Sequence, residues 1–281
     1  PPLAPTDAPA PSLDSLQDAN AATAPGADPN YPYLGWRWFP AALQFPTLAI
    51  GKLFFKQLGL DYVCSASTIG QHHIATAGHC LHTGNNSATG WSTNVLFCPG
   101  YNAGPEPTLG CWPVTNLVVK TAWYSQQDKD RDFAGGVTTS AGTVLNANLG
   151  DITGWLGYAW DSAYPLVMQF GYSQALPFNG KKLIVCATSV KSYVNFGAGA
   201  DSPSVGCHQR PGSSGGPWIL AFGPLGSNPN AVSGNWLNGV NSQIYCSAAC
   251  NGSNYVDRWT SPGFSSEAGG AKEFYASLLT Q

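Results

Sequence analysis

Charged residues are scarce in this sequence. Its 281 residues include 12 Lys and Arg and 15 Asp and Glu, so charged residues make up 10% of the chain, against about 25% in a typical soluble domain. The net charge at pH 7 is −3, and no block of basic residues occurs. Nucleic-acid-binding proteins need clustered Lys and Arg to displace phosphate counterions. The composition therefore argues against nucleic acid as a partner.

Long hydrophobic runs are also absent. The longest uncharged stretch spans residues 211–256, and Pro217, Pro224 and Pro229 interrupt it. A membrane-spanning helix needs about 20 consecutive apolar residues, so we expect no membrane partner. The Ala, Glu, Lys and Leu richness of a helical bundle is missing as well. Because the sequence begins with Pro rather than Met, we expect that the natural start has been removed.

Cysteines, by contrast, are plentiful. Eight occur, and this even number indicates disulfides and an oxidising compartment, while the absence of Cys-x-x-Cys pairs argues against a zinc ribbon. Many pairings are open, and pairing neighbours along the chain predicts Cys64–Cys80, Cys98–Cys111, Cys186–Cys207 and Cys246–Cys250. Asn85 and Asn251 begin Asn-x-Ser sequons, which are compatible with a secreted glycoprotein.

Composition divides the chain into an arm and a body. Residues 1–45 are rich in Pro and Ala and have too few large apolar residues for a core. We interpret them as an extended N-terminal arm or a propeptide remnant. The aromatic segment 31–40 within the arm is suited to docking on the body.

The body is predicted to be all-β. From residue 46 to residue 265, short strand-like runs alternate with Gly, Asn and Pro, and the rhythm of a parallel sheet with crossover helices is missing. Residues 271–279 have a helical pattern, with Phe274, Leu278 and Tyr275 on one face. The length allows one large unit or two barrels of about 100 residues each.

Three short motifs point to chemistry. Residues 76–80 read Thr-Ala-Gly-His-Cys, residues 131–134 read Arg-Asp-Phe-Ala, and residues 212–217 read Gly-Ser-Ser-Gly-Gly-Pro. They supply His, Asp and Ser in the order of a known catalytic arrangement. A serine hydroxyl needs a base, which a histidine with a pKa of about 6.5 provides, and a buried carboxylate orients that histidine. Glycines beside the serine let backbone N–H groups converge on a developing oxyanion.

These motifs resemble those of the chymotrypsin-clan, or trypsin-like, serine peptidases. Residues 76–80 match the clan's histidine motif and residues 212–217 its serine motif, and the 16-residue step from Cys64 to Cys80 resembles its disulfide around the histidine. Likeness to the glutamyl-endopeptidase-like branch lies in residues 99–102, 112–115 and 132–134.

The resemblance covers residues 46–281. It implies two antiparallel six-stranded β-barrels with the active site in the cleft between them, followed by a short C-terminal helix. Residues 46–150 are expected to form the N-terminal barrel with His79 and Asp132, and residues 151–281 the C-terminal barrel with Ser214.

The resemblance also implies roles for individual residues. Ser214 is expected to be the nucleophile, His79 the base and Asp132 the group that orients His79. The backbone N–H groups of Gly212 and Ser214 are expected to form the oxyanion hole. No cofactor and no metal is implied.

Asp128 and Asp130 compete with Asp132 for the role of the carboxylate. Asp132 leads directly into the apolar residues Phe133 and Ala134 and matches the clan's motif best. We therefore assign the role to Asp132 and expect Asp128 and Asp130 to lie in a solvated loop.

The sequence departs from the trypsin branch beside the nucleophile and in the specificity pocket. Ser213 stands where that branch has an Asp that pairs with a new N-terminal amine, so we do not expect activation by that switch. His208, six residues before Ser214, argues against a preference for Lys or Arg. Glutamyl-specific relatives have a His at the place of Asn241. The remaining predicted pocket residues are Ser242 on the substrate-lining strand and Ile244 at the pocket mouth.

Competing interpretations fail or remain open. An α/β-hydrolase needs its histidine after the serine, but all five histidines precede Ser214. The cluster of His72, His73, His79 and His82 matches no standard zinc spacing. We predict a secreted, monomeric endopeptidase acting on polypeptides. A catalytically silent binding module, or a zymogen held inactive by the arm, are the alternatives.

Overall fold

The computed structural model describes residues 36–37, 43–162, 166–197, 199–223, 234–246 and 256–281, and strands make up most of its regular secondary structure. The strands are β1 Trp36–Arg37, β2 Ile50–Gln57, β3 Leu60–Thr68, β4 His73–Thr76, β5 Thr93–Pro99, β6 Trp112–Val119, β7 Ala134–Thr138, β8 Gly157–Tyr158, β9 Val167–Gly171, β10 Ile184–Thr188, β11 Val190–Val194, β12 Ser202–Gly206, β13 Pro217–Leu220, β14 Trp236–Val240, β15 Gln243–Cys246 and β16 Val256–Thr260. The helices are α1 Gly78–Leu81, α2 Thr121–Gln126, α3 Leu149–Thr153 and α4 Ala271–Leu278.

The first six long strands close into an antiparallel barrel in the order β2-β3-β4-β7-β6-β5. Along β2, Leu53 and Phe55 are buried while Phe54 between them is partly exposed, as expected when alternate side chains enter the barrel. Leu58 and Gly59 join β2 to β3, and both have positive φ angles, as a tight hairpin turn requires. This barrel confirms part of the predicted fold.

The strands of the second half form two sheets rather than one ring. The six-stranded sheet has the order β1-β10-β9-β13-β14-β8 and the four-stranded sheet the order β11-β12-β16-β15. Trp218, Trp259, Val205 and the disulfide partners Cys186 and Cys207 form a buried cluster here. The predicted second closed barrel is therefore not confirmed by the described strands.

The C-terminal helix α4 packs beside the segment that carries Asp132. Phe274, Tyr275 and Leu278 are buried on one face of α4, which confirms the predicted helix and its apolar face. The ring of Phe133, the residue after Asp132, lies 5.3 Å from the ring of Phe274. The end of the chain thus packs against the aspartate motif in the first half.

Within the arm, strand β1 and residues 43–45 belong to the described residues. Trp36 pairs with Val185 and Arg37 with Ile184 at the edge of the six-stranded sheet. The remainder of segment 31–40, and with it the predicted zymogen contact, lies outside the described residues. Among those residues, no helix is long and apolar enough to cross a membrane.

Candidate active site

Covalent and hydrogen-bonded contacts fix the position of His79. It lies in the short helix α1, directly after barrel strand β4. Its neighbour Cys80 is joined by a disulfide to Cys64 on β3, and Gln57 at the end of β2 donates a hydrogen bond of 3.3 Å to the His79 carbonyl oxygen. The imidazole is 1% exposed, so its surroundings are set almost entirely by the protein.

Asp132 contacts His79 through both of its carboxylate oxygens. Oδ2 lies 2.8 Å from Nδ1 of the His79 ring, and Oδ1 accepts a hydrogen bond of 2.8 Å from the His79 backbone N–H. Since a carboxylate can only accept, Nδ1 carries the proton, and the lone pair of the neutral ring is on Nε2. Asp132 is fully buried, and its contact with Nδ1 favours the tautomer in which Nε2 can accept a proton.

Ser242 provides a third contact to the same carboxylate. Its Oγ donates to Oδ2 of Asp132 over 2.6 Å, across 110 residues of sequence. Ser242 follows β14 in the second half of the molecule, so the contact ties the two halves together at the candidate site. The sequence predicted Ser242 only as part of a substrate-lining strand, and the bond to Asp132 is a finding of the structure.

The turn that carries Ser214 packs against the histidine segment. The Ser65 N–H donates to the Ser214 carbonyl oxygen over 2.7 Å. A Cβ atom added to Gly215 would lie only 1.9 Å from Oγ1 of Thr76 and 2.9 Å from the backbone nitrogen of Ala77. Only glycine tolerates so close an approach, and its φ of +74° is also a glycine conformation. The turn of Ser214 therefore lies against the segment that leads to His79.

Gly212 begins this turn in a conformation that favours glycine. Its φ is +97°, and a Cβ there would lie 2.8 Å from the Tyr172 carbonyl oxygen. Ser65 Oγ donates to the Gly212 carbonyl oxygen over 3.0 Å, which orients the peptide between Gly212 and Ser213. The hydroxyl of Ser213 is 2.9 Å from that of Ser173 and so has a local structural partner.

Asn241 supports the serine turn with its whole side chain. Its Oδ1 accepts hydrogen bonds from Gln169 over 2.6 Å and from Trp218 over 2.7 Å. Its Nδ2 donates to the carbonyl oxygens of Phe170 over 3.0 Å and Ser213 over 2.8 Å. These four bonds use both lone pairs and both amide protons. The side chain is thus engaged within the protein at the place where glutamyl-specific relatives carry a histidine.

The other two predicted pocket residues are buried. His208 is 9% exposed, and its ring lies 5.2 Å from that of Phe178. Ile244 is 6% exposed and belongs to the same buried cluster as Trp218 and Trp259. Their roles in substrate selection stay predictions.

The expectation that Asp130 is solvated is wrong. Asp130 is fully buried: Ser202 donates to its carboxylate over 3.1 Å, and Gly199 packs beside it. Its neighbour Arg131 is also largely buried and pairs with Glu267 over 2.7 Å. Asp128, by contrast, is partly exposed and caps the next turn by accepting from the Asp130 N–H.

Three of the four predicted disulfides are present: Cys64–Cys80, Cys98–Cys111 and Cys186–Cys207. The pair Cys246–Cys250 lies outside the described side chains, as does the sequon residue Asn251. Asn85 is exposed, and its side chain accepts a hydrogen bond from the Ser87 N–H.

A single group of possible metal ligands occurs among the described residues. It consists of Cys64, His79 and Cys80. The two cysteine sulfurs are bonded to each other, so they are not thiolates that could bind a metal. This group does not fit a metal site.

Solved serine proteases share this fold. The thermostable serine protease AL20 from an extremophilic microorganism matches 83% of this chain and 98% of its own, with a TM-score of 0.69 and 29% identity. The protease Anisep from Arthrobacter nicotinovorans matches 88% of this chain and 100% of its own, with a TM-score of 0.69 and 28% identity. A Glu endopeptidase in complex with MPD matches 88% of this chain and 97% of its own, with a TM-score of 0.60. At 17% identity, this match shows a similar fold and nothing more.

The chain therefore has the fold of the chymotrypsin-clan serine proteases, and the resemblance predicted from its motifs is confirmed. Among curated proteins, an extracellular metalloprotease of Bacillus subtilis (strain 168) is 27% identical over 117 residues, which are 41% of this chain and 34% of that protein. The chain thus matches about a third of the length of that relative. No protein-family model matches the sequence. The structural neighbours support a peptidase.

Proposed function

We propose that this protein is a secreted serine endopeptidase that uses Ser214, His79 and Asp132. The observation that carries the proposal is the buried Asp132 carboxylate, which contacts both the ring and the backbone of His79. The turn of Ser214 is packed on the histidine segment through Ser65 and Gly215. A fold shared with serine proteases supports the same assignment.

In the proposed reaction, His79 Nε2 takes the proton of Ser214 Oγ as the oxygen attacks the carbonyl carbon of a peptide bond. The resulting oxyanion is stabilised by the N–H groups of Gly212 and Ser214. His79 then gives its proton to the leaving amine, and the acyl group stays on Ser214. Water, deprotonated by His79, releases the acid product and restores the serine. Asp132 stabilises the imidazolium that forms in each step.

The proposed substrates are polypeptides in extended conformation, bound along the backbone that follows Ser242. His208 in place of an acidic residue supports the exclusion of Lys and Arg as preferred side chains. Three disulfides and exposed Asn85 are consistent with secretion. We also propose that the strands of the second half complete a second barrel and that the protein is a monomer.

Cleavage-site profiling tests this proposal. A mixed peptide library is incubated with the wild-type protein and with Ser214→Ala, and the new termini are sequenced by mass spectrometry. We expect cleavage by the wild type alone, without enrichment of Lys or Arg before the scissile bond. Strong Lys or Arg enrichment would overturn the pocket assignment, and equal cleavage by Ser214→Ala would overturn the nucleophile.

The alternatives give different outcomes in the same assay. A binding module does not cleave, whereas a zymogen cleaves only after removal of residues 1–45. Dependence on a metal, which the name of the Bacillus subtilis relative raises, predicts loss of cleavage with a chelator. We expect a chelator to leave cleavage unchanged, because the cysteines of the candidate ligand group form a disulfide.

A further inference from the structure

Behind the serine turn lies a buried lysine that the proposed reaction does not use. Lys52 on β2 is 4% exposed, which is rare for this residue type. Its ammonium group lies 4.8 Å from the ring centre of Tyr101 and 5.1 Å from that of Phe54. Burying a lysine is costly unless its ammonium group is hydrogen-bonded or contacts an aromatic ring. The groups that Lys52 contacts therefore indicate which part of the structure it holds in place.

The ammonium group binds both ends of one loop. It donates to Oε1 of Gln174 over 3.2 Å and to the carbonyl oxygen of Gly180 over 2.9 Å. The Gly180 N–H in turn donates to the Ser173 carbonyl oxygen over 2.6 Å. Lys52 therefore closes the loop of residues 173–180 from the side of the barrel.

This loop is packed directly on Gly212. The Gln174 N–H donates to the Pro211 carbonyl oxygen over 2.7 Å. A Cβ added to Gly212 would lie 2.8 Å from the Cβ of Gln174 and 2.8 Å from the Tyr172 carbonyl oxygen. A shift of the loop would therefore move the peptide of Gly212, whose N–H is assigned to the oxyanion hole.

A second set of hydrogen bonds connects strands β2 and β3 with Gly212. Lys52 and Ser65 are direct partners across β2 and β3. Ser65 Oγ accepts from the Tyr172 N–H over 2.9 Å and donates to the Gly212 carbonyl oxygen over 3.0 Å. The Tyr172 hydroxyl donates to the Tyr101 carbonyl oxygen over 3.1 Å. The two cross-strand partners thus hold Gly212 from two sides.

We propose that Lys52 is a positioning residue for the oxyanion hole, which acts through Gln174 and the loop of residues 173–180 on the backbone of Gly212. The proposal rests on the proposed peptidase function. It predicts that loss of the ammonium group weakens stabilisation of the tetrahedral intermediate and leaves ground-state binding of the peptide unchanged. A merely structural lysine would affect stability without this selectivity.

The test compares Lys52→Met with Lys56→Met on a peptide substrate. Lys56 is on the same strand but partly exposed, and pairs with Asp61 at the surface. Removing one oxyanion donor costs about 100- to 1000-fold in kcat, and for a displaced donor we expect about a tenfold loss in Lys52→Met. KM is expected to stay unchanged, and the inhibition constant of a peptide aldehyde, which forms a tetrahedral adduct, to rise about tenfold. Lys56→Met is expected to match the wild type.

Lys52→Arg, which keeps a cationic donor, is expected to recover part of kcat. If Lys52→Met does not fold, Gln174→Met decides, because Gln174 is partly exposed and lies between Lys52 and Gly212. An unchanged kcat and aldehyde affinity in the folded variant overturns the role of Lys52. A wild-type protein that neither cleaves peptides nor binds the aldehyde overturns the proposed function itself.

Discussion

The two halves of the candidate site are held in different ways. Asp132 and His79 are fixed through their side chains, with three donors converging on one buried carboxylate. Ser214 is fixed through the backbone of its turn: its carbonyl oxygen accepts from Ser65, and the next N–H donates to Asn241. Side-chain contacts require particular functional groups, so the first side depends on Asp and His. Backbone contacts at close range require small residues, so the serine turn is rich in glycine. Substitutions of the residues that support each side should therefore fail differently, in turnover at Asp132 and in stability at the glycines of the serine turn.

The largest effect is expected from Asp132→Asn. The amide cannot hold the Nδ1–H tautomer of His79, and such a change costs about 10⁴-fold in kcat with the geometry kept. Asp130→Asn is the control, because Asp130 is equally buried but bonds to Ser202. Steady-state kinetics on both variants should show kcat near the wild-type value for Asp130→Asn, because its carboxylate bonds to Ser202 rather than to His79. A comparable loss at Asp130 would move the carboxylate role to that residue.

On the serine side, Gly215→Ala should act on stability. Its new Cβ meets Thr76 Oγ1 at 1.9 Å, at a φ of +74°. Left-handed strain and overpacking together predict a loss of about 3 kcal/mol in the free energy of unfolding. Gly59→Ala is the matched control: its φ is +85° and nothing lies within 4 Å of an added Cβ, so about 1 kcal/mol is expected from strain alone. Equal losses in denaturant unfolding would contradict the close packing of the serine turn.

Ser242→Ala, at the point where the two sides of the site meet, is expected to have a smaller effect on kcat. The variant loses a hydrogen bond to a charged group, worth about 1.5 kcal/mol, and we expect about a tenfold lower kcat with KM unchanged. Ser204→Ala is the control, since the Ser204 hydroxyl is buried and has no hydrogen-bond partner among the described residues. If both variants kept full activity, the bond from Ser242 would not orient Asp132 during turnover.

The smallest effect is expected from His73, the first residue of β4, on the pH dependence of the free energy of unfolding. Burial, and secondarily the neighbouring His72, lower the pKa of His73 from 6.5, and neither ring nitrogen has a hydrogen-bond partner in the described part of the chain. Because the unfolded chain then binds the proton more readily, this histidine makes the folded state less stable as the pH falls below about 6.5. His73→Leu should show a weaker loss of unfolding free energy between pH 7 and pH 5. The same acid loss in both proteins would refute this assignment.

The sequence predicted most of what depends on local motifs. It indicated the β-class, the helix at Phe274 to Leu278, three disulfides and the three motifs that the fold brings together. Tight turns and catalytic motifs are local, so a single sequence carries them.

Contacts between segments that are far apart in the chain could not be predicted from the sequence. The bond from Ser242 to Asp132 spans 110 residues, and the burial of Asp130 depends on the segment at Gly199 to Ser202. A charged run such as residues 128–131 predicts a solvated loop until another part of the chain covers it. The role of Lys52 likewise depends on a loop more than 120 residues away.

Labelling with a fluorophosphonate probe tests most directly whether Ser214 is an activated nucleophile. The folded protein is treated at neutral pH, with residues 1–45 present and removed, and the modified peptide is mapped by mass spectrometry. We expect one label, on Ser214, that is lost in Ser214→Ala and forms much more slowly in Asp132→Asn. A folded protein that stays unlabelled in both forms, or a label on Ser213 instead, would contradict it.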